Sequence, residues 1–504
     1  MDTEDLYMNL RNIIGSLLSL ASLLEAQAIS IPWSGYGHDP QHSGISAVAA
    51  QPFNRIKWST PVDLVLQNTP GTLFIHYGSP LVTAANTVIV PVRTTAGNTY
   101  RVDVLAGATG APKYSLASAW TPPAHDWIPV FAPTLTPRNR LYYPGPGGTV
   151  LYRDQPDSNT GAAGQIAFFG NALYAANQAT FNSNVQISTP LVSDRYGDIF
   201  FGFTVSGTNP AGLVSGMARI DLNGNGSYIT ATTASGGDGS VIEVPLNCAP
   251  ALSIDNFTLY FAVSGGDRAG GYLVSVDSRN LAPLAHVRLK DPNLGSDASL
   301  LDDSSAAPTV GPDGDVYYGV FETACCSNHD RGWLLHFDKT LSTRKTPGAF
   351  GWDSTASIVT SKLVPSYHGT STYLLFSKYN NYVDRGGDGV NRIAILDPNA
   401  TQTDPVTGAS VMKEVMTITG VTPEGTDGAV REWCINSAAV DTVTRSIIAN
   451  SEDGVVYRWD LTSNTFTQSL RLTPGVGEAY TPTVIGVDGT GYAINDAVLF
   501  AFGQ

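Results

Sequence analysis

The sequence predicts an all-β fold: an eight-bladed β-propeller of four-stranded antiparallel blades, closed by an N-terminal strand that completes the last blade. Three observations predict it. A short phrase, clearest as Ala307-Pro308-Thr309-Val310-Gly311-Pro312-Asp313-Gly314-Asp315-Val316-Tyr317-Tyr318, is said eight times. Most copies are followed by a third apolar run that ends in Asp, and then by a fourth. The last copy leaves room for only three strands, while an unpartnered strand stands near the N-terminus.

Composition agrees. The chain has 504 residues, more than the ~250–300 that one hydrophobic core supports, so it is modular. Its 51 Gly, 31 Pro and 22 Tyr, with only 14% charged residues, favour turns and strands over helices. The net charge of −15 speaks against nucleic acid or an anionic membrane surface as partner.

Residues 1–30 stand apart. Arg11, the apolar run 13–24 and Ala26-Gln27-Ala28 have the order of a secretory leader with a small-x-small cleavage site, although the acidic residues 1–7 make an unusual start. The apolar run is shorter than the ~20 residues of a membrane span. The expectation is a leader over 1–30, one propeller domain over 31–504, a secreted, periplasmic or extracellular location, no stable membrane insertion after cleavage, and a monomer.

After the leader comes Trp33-Ser34-Gly35-Tyr36-Gly37-His38-Asp39-Pro40-Gln41-His42-Ser43-Gly44, a Gly/Pro-rich lead, and then the strand 53–63. His38 and His42 are four apart, but this segment cannot be helical, so a surface loop is expected rather than a metal pair. The copies begin at Ser79, Ala132, Thr189, Ala249, Ala307, Val364, Ser437 and Thr481, at spacings of 44 to 73 residues. Each reads as a short apolar strand, a Gly/Pro/Asp turn and a second strand. The third runs end at Asp221, Asp277, Asp338, Asp397 and Asp460; the first copy ends at Ala106 and continues Gly107-Ala108-Thr109-Gly110. Four strands per unit at this period is a propeller pattern, because one unit cannot bury both faces of its sheet and a ring of units can. Placing strand 53–63 beside the last run of the chain closes the ring and removes its free edge.

Gly107-Ala108-Thr109-Gly110, the lead 33–44 and the Asp-ended third strands resemble the pyrroloquinoline-quinone-like repeat family, in the quinoprotein alcohol dehydrogenase-like superfamily. The likeness extends over about residues 31–504 and points to uncharacterised secreted members. It implies eight blades, a ligand site on the channel axis, and pyrroloquinoline quinone with Ca²⁺ as cofactors to consider. The family's blade-locking tryptophan is Tyr114 in the first unit and survives as Trp58 in the closing strand.

The residues just before each inner strand should lie at one mouth of the channel. They include His76, His125, Asp126, Trp127, Gln186, Asn247, Asp302, Lys362, Arg431, Glu432, Trp433, Asn436 and Glu478. Residues distant in sequence would converge there, as a ligand site requires. Arg431-Glu432-Trp433 is the densest group: Arg clamps carboxylates, Trp stacks on flat rings, and Glu with Asn436 can ligate a hard cation. The same residues suit a salt-bridged loop packed on an aromatic. Cys325 and Cys326 are adjacent and able to close a vicinal disulfide, placed between second and third strands. Asp221-Leu222-Asn223-Gly224-Asn225 starts like a calcium loop but has Thr232 where the last ligand belongs, so a polar turn is expected.

Nucleophile-elbow, P-loop, zincin and c-type haem patterns are absent, which excludes a quinohaem enzyme. No catalytic residue and no full metal-ligand set can be assigned. The sequence therefore favours a propeller that binds a small molecule or protein at a polar channel mouth; the alternative is a quinone- and Ca²⁺-dependent alcohol or sugar oxidoreductase.

Overall fold

The computed structural model describes residues 32–65, 68–69, 72–73, 78–95, 99–124, 131–302, 304–425, 428–475 and 480–504; the leader lies outside them. Eight sheets follow one another along the chain, antiparallel except where Ile45–Ser46 joins blade 7 parallel to Val440–Asp441. Blades 1 to 7 span 81–118, 134–167, 185–230, 251–288, 309–337, 357–419 and 439–471. Blade 8 combines 484–503 with Arg55–Pro61.

Within a blade, burial falls from the axis outward, and the sequence pattern follows it. In blade 4 the second strand, Thr258–Ser264, and the third, Gly271–Asp277, are almost wholly buried. Both therefore read as continuous apolar runs. The outer strand, Pro283–Arg288, is mostly half-buried or exposed and carries polar residues. The recurrent aspartates make the turns. Asp313 Oδ1 accepts from the Asp315 amide at 3.0 Å. At the third-strand ends, Asp277 accepts from the Arg279 amide, Asp397 from Asn399 and Asp460 from Thr462. Each carboxylate satisfies a turn amide two residues ahead, the ordinary Asx-turn role. Asp221 does the same for Asn223 and Asn225, so the calcium-like stretch is a polar turn.

Ring closure is as expected. Arg55–Pro61 pairs antiparallel with Val498–Gly503, with Ile56 opposite Phe502 and Pro61 opposite Val498. Trp58 then reaches across to blade 1. Its indole nitrogen donates to Gly107 O at 2.8 Å, and its ring lies on Gly110. Tyr114 sits in the outer strand of blade 1, where its hydroxyl donates to Pro156 O.

Three expectations are corrected. The inner strand of blade 6 is Ser357–Thr360, not the copy read from Val364. Val364 follows a 3₁₀ turn, Ser361–Leu363, so Lys362 lies beyond the inner strand rather than before it. Blade 5 has three paired strands; Arg344 and Gly348 touch the third only through isolated bridges to Phe337 and Leu334. Gln186 is not in a loop, because Val185–Ile187 extends the inner edge of blade 3 against Phe203–Val205.

The lead behaves unlike a surface loop. It crosses the channel and collects one backbone amide from each of six inner strands. Val82, Leu135, Leu252, Val310, Ile358 and Val440 donate to the carbonyls of Trp33, Ser34, Pro40, Gln41, Ser43 and Gly44 at 2.7–3.0 Å. Gly37, at φ +61°, folds the lead back so tightly that a Cβ would lie 2.9 Å from His42 Cα. From this floor Tyr36 points along the axis. Its hydroxyl donates to Ser305 O at 2.9 Å, accepts from Asn436 Nδ2 at 2.6 Å and lies 2.8 Å from Thr355 Oγ1. One side chain thus ties the segments entering blades 5, 6 and 7.

Candidate functional site

The channel has two mouths with the lead between them. One carries the segments that enter the inner strands. The other carries the turns joining first and second strands.

At the entry mouth, His76, His125, Asp126, Trp127 and Glu478 lie outside the described residues. Arg431 is half-buried and pairs with Glu424 and Glu452, at 3.1 Å to each. Trp433 is buried in the wedge between blades 6 and 7, against Tyr457 and Phe466, and its backbone is clasped by the Asn380 amide. Asn436 is on the axis, engaged with Tyr36. Asn247, at φ +63°, directs its amide to Asp302 O and Ser304 O. Glu432 approaches Glu452; burial first, then that neighbouring charge, pushes its carboxyl up to about 7 against the pull of Lys378. Lys378 is itself buried, 3.4 Å from Asp353 and close to the rings of Phe350 and Tyr480.

Cys325 and Cys326 are disulfide-bonded to each other, in the expected loop between second and third strands of blade 5. Asp330 accepts from the Cys326 amide and is held by Arg385. His329 pairs with Asn381.

A cavity lies at the turn mouth. It holds about 580 Å³ and is walled by the first turns of blades 1 to 4 and floored by the lead. His38, at φ +84°, and Asp39 form its floor. The His38 ring is edge-on to Trp33, and its Nδ1 is 3.4 Å from Asp39 Oδ2. Burial acts to raise the Asp39 pKa, but hydrogen bonds from His38 and Ser43 outweigh it and hold the carboxyl low. Arg195 rims the cavity; its amide donates to Asn256 Oδ1, locking the turns of blades 3 and 4 together. A second hollow of about 340 Å³ lies across the lead and shares His38, Asp39 and Gln41. His42 faces the other way: it is buried, its Nδ1 bonds Pro308 O at 2.7 Å, and burial lowers its pKa to about 4. Sequence reasoning missed this mouth. Its side chains sit in turns or in the lead, and only ring closure brings them together.

No family model matches the sequence, and no curated protein does. Solved structures do match in shape. A europium-containing methanol dehydrogenase superposes with a TM-score of 0.58 at 10% identity, covering 96% of this chain and 100% of that chain. The quinohemoprotein alcohol dehydrogenase of Comamonas testosteroni gives 0.55 at 10% identity, over 95% of this chain and 82% of that one. Sqt1 of Saccharomyces cerevisiae gives 0.52 at 11% identity, over 90% and 99%. At such identities the likeness is one of fold. This chain has the eight-bladed propeller fold that quinoprotein dehydrogenases also have.

Proposed function

We propose that this propeller binds a small molecule, and that the ligand enters at the turn mouth. The observation that carries this reading is the cavity of about 580 Å³ floored by His38 and Asp39, a concave space of the size ligand sites have, with few convergent polar groups. The entry mouth supports the reading by contrast, since Arg431, Trp433 and Asn436 are engaged by neighbouring protein groups. The test is a thermal-shift screen of polar metabolites against the intact chain. A ligand at a hundred times its Kd stabilises by about 2.7 kcal/mol. Ala84→Trp, on the cavity wall, should abolish the shift, and His38→Ala should weaken it. A shift unchanged in both variants would place the site elsewhere.

The residues considered for a quinone do not fit one. Trp433 has no open face for a ring to stack on, and Arg431 is committed to two glutamates. Incubation with pyrroloquinoline quinone and Ca²⁺ should leave no retained chromophore and no alcohol- or sugar-dependent dye reduction. Either signal would reinstate the oxidoreductase.

Export is part of the same reading. It is supported by the leader-like residues 1–30.

A further inference from the structure

We infer that Glu432, Cys434 and Glu452 form a binding site for a thiophilic divalent cation of the zinc class, off the channel axis between blades 6 and 7. Glu432 and Cys434 flank Trp433 on an extended segment, and alternate residues of extended chain face the same way. Trp433 is buried among aromatics, so its two neighbours are turned toward the blade 7 turn that carries Glu452. One oxygen or sulfur atom from each of the three lies within 4.8 Å of the others. Zinc takes sulfur at ~2.3 Å and carboxylate oxygen at ~2.0–2.2 Å, so small side-chain rotations bring all three onto one ion.

Two further observations point to a cation. Glu432 is half-buried, and no hydrogen bond reaches its carboxylate among the described residues. An ionised carboxylate in that position is costly unless paired. The local charge is also unbalanced. Glu424, Glu452 and Asp353 already outnumber Arg431 and Lys378 by three to two, so Glu432 has no cation left to itself. Arg431 holds Glu452 through Oε1, leaving Oε2, the atom to which the Cys434 thiol donates at 2.8 Å. A metal entering there displaces that thiol proton to solvent and takes the thiolate, as metal binding to cysteine requires. The thiolate selects zinc-like ions over Ca²⁺ or Mg²⁺. Three protein ligands leave one position open.

The test uses the intact, non-reduced chain, dialysed against chelator and titrated with Zn²⁺ and with Cd²⁺. The expected result is one equivalent bound, with the ultraviolet thiolate-to-cadmium charge-transfer band. Cys434→Ser should lose the band, while Cys248→Ser and the Cys325→Ser/Cys326→Ser pair should keep it. Glu432→Gln removes no hydrogen bond, so it should fold normally and bind at least about tenfold more weakly, a loss that even outer-shell changes cause. Binding without the band, a band that survives Cys434→Ser, or unchanged affinity in Glu432→Gln would each overturn the site.

Discussion

Carboxylates in this chain do two opposite jobs. In turns they accept amide hydrogens. Between blades they are crowded. Glu243 precedes blade 4 and Asp302 precedes blade 5, and the two face each other with Asp267 nearby. Burial raises both above the ordinary carboxyl range, helped at Glu243 by the charge of Asp302 and at Asp302 by that of Asp267. A raised acid pKa means that the folded state binds more protons than the unfolded chain, so stability falls as pH climbs through the window. For Glu243 that window runs from 4.5 to about 7. Glu243→Gln should therefore flatten the decline of the melting midpoint with pH; an identical profile would show that the pair does not titrate there. Tyr36 makes the second prediction. Tyr36→Phe leaves Asn436 and Ser305 without their shared hydroxyl, and a buried polar group left unpaired costs about 1–3 kcal/mol. Chemical denaturation should show that loss without a change in secondary structure.

At the level of elements, the contact between Trp58 and the turn Gly107–Gly110 is the seam of the ring. Gly110 sits at φ +69°, and a Cβ there would lie 2.7 Å from the indole. Gly110→Ala combines an unfavourable backbone conformation with overpacking, which costs about 1–3 kcal/mol. The melting midpoint reports it, and an unchanged midpoint would mean that the indole moves aside freely. Trp58 was marked by the family resemblance, but its contact with this turn joins residues 49 positions apart and appears only when the ring closes. The inner strand of blade 6 was not legible either. Val364-Pro365-Ser366 imitates the repeated phrase, whereas the true strand begins at Ser357, where Ile358 meets the lead. Inner strands are mostly only two residues long, too short for periodicity to distinguish, and pairing with Tyr373–Phe376 decides the register.

For the whole molecule, closure depends on residues near both ends. Removing residues 32–61 would strip the outer strand from blade 8 and the floor from the channel together. An exposed edge strand pairs with whatever it meets, so this deletion should aggregate and lose its cooperative melt, as gel filtration and calorimetry would show. A variant that stays monomeric with one sharp transition would mean that blade 8 does not need its N-terminal strand. The lead explains why so small a segment matters: six amides of six inner strands end on it.

Number of blades, ring closure and aspartate turns were readable from the chain, because they rest on strand pattern and turn chemistry; the locking tryptophan came through the family resemblance. The candidate site was only half readable. The residues entering blade 7 are dense in functional groups, but their neighbours decide what they do: Trp433 turns into the wedge, and Arg431 is taken by Glu424 and Glu452. The lead looked like a loop and proved to be the channel floor. Tyr36 bonds a residue 400 positions away, and no local pattern records such a contact. Side-chain direction at the axis is set by ring closure, and ring closure exists only once all eight blades are in place.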